Sequence, residues 1–206
     1  MRSQDNGRGR RRALYAAIGA WLGCMIMASA EAMQIGDVQT EPFAKVDGIE
    51  LVLNGAGLRK RYGVNVYVIG LYLRAPQRSS ELALALDGPK RIALTMMRGI
   101  SAQSLVDALY EGLRDNSSEP EYERLKSSAD ALAAVMLPLQ EARKGDLLAL
   151  DYIPGCGAQV SVNGRKIGSP VPGPELYRAL LKIWLGHNPA DANLKRQLLG
   201  VSGGAP

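Results

Sequence analysis

The first half of the chain carries its apolar residues in short, almost unbroken runs, a pattern typical of β-strands. Three such runs lie at residues 49–53, 64–73 and 91–97. Two more lie at residues 147–153 and 159–162, and the dipeptide Asn163-Gly164 that follows them is a tight-turn signal. We therefore expect antiparallel hairpins that contribute to a sheet.

Elsewhere the apolar residues take helical spacing. Ser101 is a good N-cap, and the apolar face that follows it consists of Leu105, Val106, Leu109, Tyr110 and Leu113. Further helical stretches are predicted at residues 120–134, extending brokenly towards Arg143, at residues 175–184 and at residues 191–199. Hairpins with separate helices, without regular βαβ alternation, predict an α+β fold in which helices cover one face of an antiparallel sheet.

The string Leu-Asn-Gly-Ala-Gly-Leu-Arg at residues 53–59 predicts a small-residue turn and a lone arginine before the most apolar strand. Tyr62-Gly63 is a second turn candidate. If Gly63 lies at the tip of an antiparallel hairpin, Arg59 and Tyr67 are equidistant from it and stand opposite each other. A guanidinium beside a phenol on an apolar sheet would suit a carboxylate or an enolate. The structural alternative is an arginine at a hairpin rim and a tyrosine packed in the core.

The first 32 residues have the layout of a secretory signal peptide. Four arginines between residues 8 and 12 precede a charge-free apolar run at residues 13–30, and A-x-A sites end at Ala30 and Ala32. We expect cleavage near one of these alanines, a periplasmic or secreted protein, and no stable membrane span after cleavage. A retained membrane anchor is the alternative, and both general and twin-arginine export remain open. The predicted organisation is a signal peptide at 1–32, one domain at 33–200 and a flexible tail at 201–206.

Charge and reactive side chains argue against several classes of function. The net charge is +5, but five of 25 basic and two of 20 acidic residues lie within residues 1–32, so the remainder carries +2. That value favours no nucleic-acid partner. His187 is the single histidine, so we expect no metal site, and no glycine pattern indicates a cofactor. Without the leader, Cys156 is the single cysteine; it can form no intrachain disulfide and is expected to be buried.

Several short motifs follow one another in a definite order. They are Gly-Ala-Gly-Leu-Arg at 55–59, Tyr-Val-Ile-Gly-Leu-Tyr-Leu at 67–73, Tyr-Ile-Pro-Gly at 152–155, Asn-Gly at 163–164 and Ile-Trp-Leu-Gly at 183–186. Their order and spacing resemble the chalcone isomerase superfamily over about residues 34 to 200, and most of all the exported bacterial chalcone isomerase-like proteins. The resemblance implies an open-faced β-sandwich, in which a large antiparallel sheet packs against a layer of helices with a ligand cleft between them.

The resemblance also implies roles for single residues. In chalcone isomerases the arginine of the Gly-Ala-Gly-x-Arg string is important to catalysis, and Arg59 matches it. Tyr67 stands where those enzymes have a threonine. The positions of their other substrate-binding residues (Tyr, Lys, Asn and a late Thr) fall here at Leu105, Ala108, Gly112 and near Ile183. None of these four side chains can donate a hydrogen bond, so the polar shell of the enzymes is replaced by apolar residues.

This combination favours ligand binding over isomerisation. Fatty-acid-binding members of the superfamily hold a carboxylate with an arginine and a tyrosine at these two places. We therefore expect Arg59 and Tyr67 to bind the head group of a small hydrophobic carboxylate such as a fatty acid. The tail would occupy an apolar slot walled by Leu105, Leu109 and Ile183.

Two alternatives of other classes remain. The first is an intramolecular lyase or isomerase acting on a chalcone-like enone, with Arg59 as electrophile and Tyr67 as proton donor. The second is a non-catalytic envelope protein that acts through its surface. The sequence leaves the oligomeric state open.

Overall fold

The computed structural model describes residues 32–201. The signal peptide predicted at residues 1–32 and the tail predicted at residues 201–206 lie outside this range, apart from one residue each. Within the described range, no helix is both long enough and apolar enough to cross a bilayer.

The described residues form strands and helices in a mixed order. The strands are β1 (Met33–Ile35), β2 (Val38–Thr40), β3 (Phe43–Val46), β4 (Ile49–Arg61), β5 (Val64–Leu73), β6 (Lys90–Met96), β7 (Ile100–Ser101), β8 (Glu141–Ala142), β9 (Leu147–Ile153), β10 (Gly157–Val162) and β11 (Arg165–Val171). The helices are α1 (Ser80–Ala85), α2 (Ala102–Asp115), α3 (Glu119–Met136), α4 (Pro174–Leu185) and α5 (Ala192–Leu198), with a 3-10 turn at Leu137–Leu139.

One large sheet organises the molecule. Its seven strands lie in the order β11-β10-β9-β6-β5-β4-β3, and every neighbouring pair is antiparallel. Two short ribbons, β1-β2 and β7-β8, lie outside it. The helices supply the apolar layer against one face, so the expected α+β architecture is confirmed.

The helical layer forms where the apolar periodicity predicts it. Ser101 caps α2, because its side-chain Oγ accepts the backbone N–H of Ser104 at 3.1 Å. The buried residues of α2 recur at helical spacing and are Ala102, Val106, Leu109 and Leu113. Helix α4 is buried along most of its length and joins the same core cluster as the inward residues of β5 and β6. This cluster is the main hydrophobic core, and it includes Leu109 and Ile183, two of the three residues predicted to wall the tail slot.

The other face of the sheet carries a second, smaller core. It consists of Val46, Leu51, Leu53, Ala56, Tyr72 and Ile153. The sheet curls so that β3, at its edge, approaches β6 and β9 across this face. The hydroxyl of Tyr72 donates to the backbone carbonyl of Glu41 at 2.9 Å, which ties the segment before β3 to the curled sheet.

Two predictions about local structure were wrong. The small-residue turn expected at residues 53–59 is not a turn, because β4 runs without interruption through it, and the chain reverses later at Tyr62-Gly63. Cys156 is exposed rather than buried, because it lies in the turn between β9 and β10 next to Gly155, whose φ is +80°. The sequence also did not predict strands β1, β2, β3, β7, β8 and β11 or helix α1.

Candidate functional site

The hairpin of β4 and β5 places the two predicted head-group residues side by side. Tyr62 and Gly63 have φ values of +50° and +78°, as a tight two-residue hairpin turn requires. Arg59 pairs directly with Tyr67 in the ladder, as predicted. The turn alone would pair Arg59 with Val66, and a bulge at Val66 shifts the pairing to Tyr67. Side chains at paired positions share one face of a sheet, so the guanidinium and the phenol lie on the same side.

A second β-bulge, in β4, precedes this pair. The ladder of β4 and β5 shifts between Leu53, paired with Tyr72, and Gly55, paired with Leu71. Since Tyr72 and Leu71 are consecutive in β5 and side chains alternate along a strand, Leu53 and Gly55 face opposite sides of the sheet, with Asn54 as the extra residue between them. Leu53 therefore joins the smaller core, whereas Gly55, Gly57 and Arg59 face the helices.

The two glycines before Arg59 create a seat for helix α5. A Cβ at Gly55 would lie 2.7 Å from the backbone oxygen of Leu198, and one at Gly57 would lie 2.5 Å from a methyl carbon of Leu194. Helix and strand can therefore approach closely only because these positions lack side chains. The side chain of Asn54 donates to the carbonyl of Leu198 at 2.6 Å and fastens the end of the helix.

Arg59 meets an aspartate at the beginning of α5. One of its terminal nitrogens donates to the backbone carbonyl of Lys60 at 2.7 Å and lies 3.7 Å from Oδ2 of Asp191. The side chains of Arg59 and Asp191 are 21% and 26% exposed. Asp191 uses its other oxygen, Oδ1, to accept the backbone N–H groups of Asn193 at 2.8 Å and Leu194 at 3.0 Å. The guanidinium is thus partly buried and loosely paired, since 3.7 Å exceeds hydrogen-bond length.

Tyr67 is held by a residue of α4. The indole N–H of Trp184 donates to its hydroxyl oxygen at 3.0 Å. Burial raises the pKa of Tyr67, while the Trp184 hydrogen bond and the charge of Arg59 oppose the rise and Asp191 adds to it. The phenol is therefore protonated at neutral pH. Among residues 32–201 we find no acceptor for its hydrogen, so the hydroxyl can donate to a ligand oxygen.

The three residues predicted to wall the tail slot lie on helices α2 and α4. Leu109 and Ile183 are buried, and Leu105 is partly buried against the same core. Ile183 packs on Gly112 of α2, where an added Cβ would lie 2.8 Å from Cγ2 of the isoleucine. Helices α2 and α4 are therefore in direct contact at the position of the predicted slot.

Two surface cavities among the described residues are lined by residues other than these. One, of about 410 Å³, lies between the end of α3 and β11 and is lined by residues that include Val135 and Ile167. The other, of about 240 Å³, lies on the face of the sheet opposite the helices, and Arg91 and Asp151 are among its lining residues. The tail slot accordingly stays a prediction.

Sequence reasoning missed two members of this cluster, Trp184 and Asp191. In the sequence, Trp184 belongs to an apolar motif and Asp191 is the first residue of a predicted helix. Their proximity to the hairpin depends on contacts across 117 and 132 positions of the chain, which no local pattern encodes. For Asp191, the available signal was its position as a candidate N-cap of the last helix.

The arrangement gathers one cation, one carboxylate, one neutral phenol and one indole N–H among apolar residues. The guanidinium and the phenol hydroxyl can both donate to the oxygens of an anionic head group, whereas the charge of Asp191 opposes such a group. Acceleration of a reaction would require more donors aimed at the charge that develops in the transition state. The geometry therefore fits binding better than catalysis.

Comparison with known proteins places this architecture. No curated protein matches the chain. A solved structure of a fatty-acid binding protein from Arabidopsis thaliana is similar, with a TM-score of 0.66 and 17% sequence identity over 82% of this chain and 96% of that one. At that identity the likeness shows a shared fold, which confirms the expected chalcone isomerase-like architecture. The model of the chalcone isomerase-like family matches residues 32–200. The chain therefore belongs to the chalcone isomerase-like family.

Proposed function

We propose that this protein binds a small hydrophobic carboxylate such as a fatty acid, with Arg59 and Tyr67 as the residues that hold the head group. The observation that carries the proposal is their direct pairing on the helix-facing side of β4 and β5. A partly buried guanidinium and an uncommitted hydroxyl hydrogen then point to the same small volume.

Each partner contributes a different interaction. Arg59 supplies charge and a planar set of donors that matches the two oxygens of a carboxylate. Tyr67 adds one hydrogen bond whose direction is set by Trp184, because the indole N–H occupies the acceptor side of the hydroxyl. A head group would meet both donors without a rearrangement of the hairpin.

The tail would lie along the apolar residues next to the pair. Leu109 and Ile183 belong to the main core, and Leu105 and Tyr67 pack on it. In the structure α2 and α4 touch where Ile183 packs on Gly112, so a tail would enter as these helices separate locally. The name of the Arabidopsis neighbour supports a fatty acid as the class of ligand that this fold accommodates.

The proposed place of action is outside the cytoplasm. The predicted signal peptide supports this, since a basic segment and an apolar run precede two A-x-A sites. Mass spectrometry of the protein recovered from the periplasm should give an amino terminus after Ala30 or Ala32. An intact leader in the recovered protein would contradict export by cleavage.

The binding proposal has a direct optical test. Replacing Trp21 by Phe in the full chain leaves Trp184 as the single tryptophan, and its indole touches Tyr67. Delipidated protein is titrated with dodecanoate while the Trp184 fluorescence is recorded. We expect saturable binding, and Arg59→Ala should weaken it about tenfold or more, because a charge-assisted hydrogen bond contributes about 1.5–3 kcal/mol.

Two controls make the result specific. Arg61→Ala removes the same charge from the same strand at a more exposed position, and it should leave the affinity nearly unchanged. Dodecanol presents the same tail without a carboxylate and should bind far more weakly. The proposal fails if the protein does not bind dodecanoate, or if Arg59→Ala and the parent bind equally. The same preparations incubated with naringenin chalcone test the isomerase alternative through stereospecific ring closure.

A further inference from the structure

We infer that Asp191 is a built-in competitor for the head-group cation, so that an incoming carboxylate binds by displacing it from Arg59. This inference rests on the proposed function, because it concerns the same site. It assigns to Asp191 the role of setting affinity and of selecting anionic over neutral ligands.

The two oxygens of Asp191 have different partners. Oδ1 accepts the backbone N–H groups of Asn193 and Leu194 and so caps α5. Oδ2 extends towards Arg59 and stops at 3.7 Å. Since capping fixes the side chain, the aspartate cannot move closer to the guanidinium without losing the cap. The carboxylate is thus held near the cation in a position too far away for a strong hydrogen bond.

The segment before Asp191 is anchored to the end of α2. The side chain of Asn116 donates to the carbonyl of Asn188 at 2.9 Å and accepts its backbone N–H at 3.0 Å. Two residues later, the N–H of Ala190 donates to the carbonyl of Ile183 at 2.8 Å. These bonds place Asp191 at the site regardless of whether a ligand is present.

The far end of the same helix is anchored to the strand that carries Arg59. Asn54 binds the carbonyl of Leu198, and α5 lies against Gly55 and Gly57. Helix α5 is therefore fixed at both ends, with its capping carboxylate beside Arg59. Strand β4 carries Arg59 and also holds the helix that begins at Asp191. The distance between the two side chains is therefore set by the packing of α5 on β4.

Two consequences follow for binding. A ligand carboxylate can form two short bonds to the guanidinium, so it can replace a partner that lies at 3.7 Å. Asp191 stays close by after displacement, since the cap and the Asn116 contacts hold it, and its charge then opposes the bound anion. A neutral lipid offers no compensation for breaking the pair and is excluded.

The test separates the charge of Asp191 from its capping role. Asparagine caps helices as well as aspartate does, so Asp191→Asn removes the charge and keeps α5. Titration with dodecanoate in the Trp21→Phe chain should show about fivefold tighter binding than the parent, the size expected for release from a partly exposed ion pair. Asp37→Asn, which makes the same change of charge in the turn between β1 and β2, should leave the affinity unchanged.

The outcomes distinguish this inference from the proposed function. If Asp191→Asn binds dodecanoate no more tightly than the parent while Arg59→Ala loses binding, the inference is overturned and the proposed function stands. If neither the parent nor Asp191→Asn binds, both are overturned. Binding that appears in Asp191→Asn alone overturns the proposed function, since the parent does not bind, and supports the effect assigned to the Asp191 charge. Asp191→Ser, a second neutral cap, should reproduce the asparagine result, and disagreement between two folded variants would contradict the role of the charge.

Discussion

Two arginine–aspartate pairs lie on opposite faces of the same sheet, and they differ in geometry. On the helix-facing side, Arg59 and Asp191 are separated by 3.7 Å. On the other side, Arg91 and Asp151 form two parallel hydrogen bonds of 2.6 and 2.7 Å. The aspartate side chain is 9% exposed in the second pair and 26% exposed in the first.

The difference comes from how each pair is positioned. Arg91 and Asp151 stand directly opposite each other on β6 and β9, so the sheet ladder itself sets their separation. The hydrogen bond from this guanidinium to Asp151 raises the pKa of Arg91 further above its usual value. Asp191 instead reaches its arginine from a helix cap. Arg91 and Asp151, the tight pair, hydrogen-bond to each other, so these donors are occupied. Arg59 and Asp191, the loose pair, lie too far apart for a hydrogen bond, so Arg59 keeps N–H donors that a ligand can use.

We expect the largest loss of stability when the tight pair of Arg91 and Asp151 is broken. Arg91→Met leaves the carboxylate of Asp151 nearly buried without its partner, which should lower the free energy of unfolding by about 3 kcal/mol. The matched change, Arg59→Met, should lower it by about 1 kcal/mol or less, because that pair is longer and more exposed. Urea unfolding of both variants gives the comparison.

A double replacement tests the cause. Changing Arg91 to Met and Asp151 to Leu together should recover most of the lost stability, because no unpaired charge is left in the sheet. Equal losses for Arg91→Met and Arg59→Met would show that the two pairs do not differ in the way their geometry indicates.

A change at the seat of α5 should have the next largest effect. Gly55→Ala places a Cβ against the backbone of Leu198, which cannot move without displacing the helix, and should lower stability by about 2 kcal/mol. It should also separate Asp191 from Arg59 while leaving Arg91 and Asp151 unchanged. Urea unfolding measures the loss. Gly99→Ala is the control, since its new Cβ meets only the flexible carboxylate of Glu141, and a similar loss there would contradict the explanation.

We expect the smallest change in stability for the ion pair between helices α3 and α4. The ammonium of Lys182 donates to Glu121 at 2.9 Å, and this hydrogen bond lowers the pKa of the glutamate. A lowered pKa in the folded state adds stability above the unfolded value of about 4.3, and this stability is lost as the pH falls through the folded value. Glu121→Gln should therefore cost about 0.5 kcal/mol at pH 7, and the cost should decrease as the pH is lowered from about 4 towards 3. Thermal unfolding between these pH values measures the difference, and a constant cost would contradict it.

The hairpin of β4 and β5 and the helices could be predicted from sequence because their signals are local. The turn at Tyr62-Gly63, the apolar spacing and the Ser101 cap all act within a few residues. The exact partner of Arg59 does not follow from the turn, which alone would pair it with Val66. A bulge at Val66 moves the pairing on to Tyr67, so that prediction was right but the register has a cause that the sequence did not reveal.

The rest depends on contacts between distant segments. The glycines at 55 and 57 suggested a turn because glycine favours turns, whereas their role is to admit α5 from the other end of the chain. Strand β11 contains Gly168 and Pro170, which hide a strand pattern although the strand lies at the sheet edge where proline is tolerated. Whether Arg59 is free or paired could not be read from sequence, because Asp191 reaches it only in the folded chain.

The extra residue at Asn54 makes β4 tolerant of a change of one residue in length at this point. Leu53 and Gly55 pair with consecutive residues of β5, Tyr72 and Leu71, and therefore already face opposite sides of the sheet. Removal of Asn54 would make them neighbours in a regular ladder and leave Arg59 on the helix-facing side. Such a deletion would instead cost the amide that bonds Gln77 and Leu198, so the bulged residue serves to attach distant segments rather than to aim the arginine.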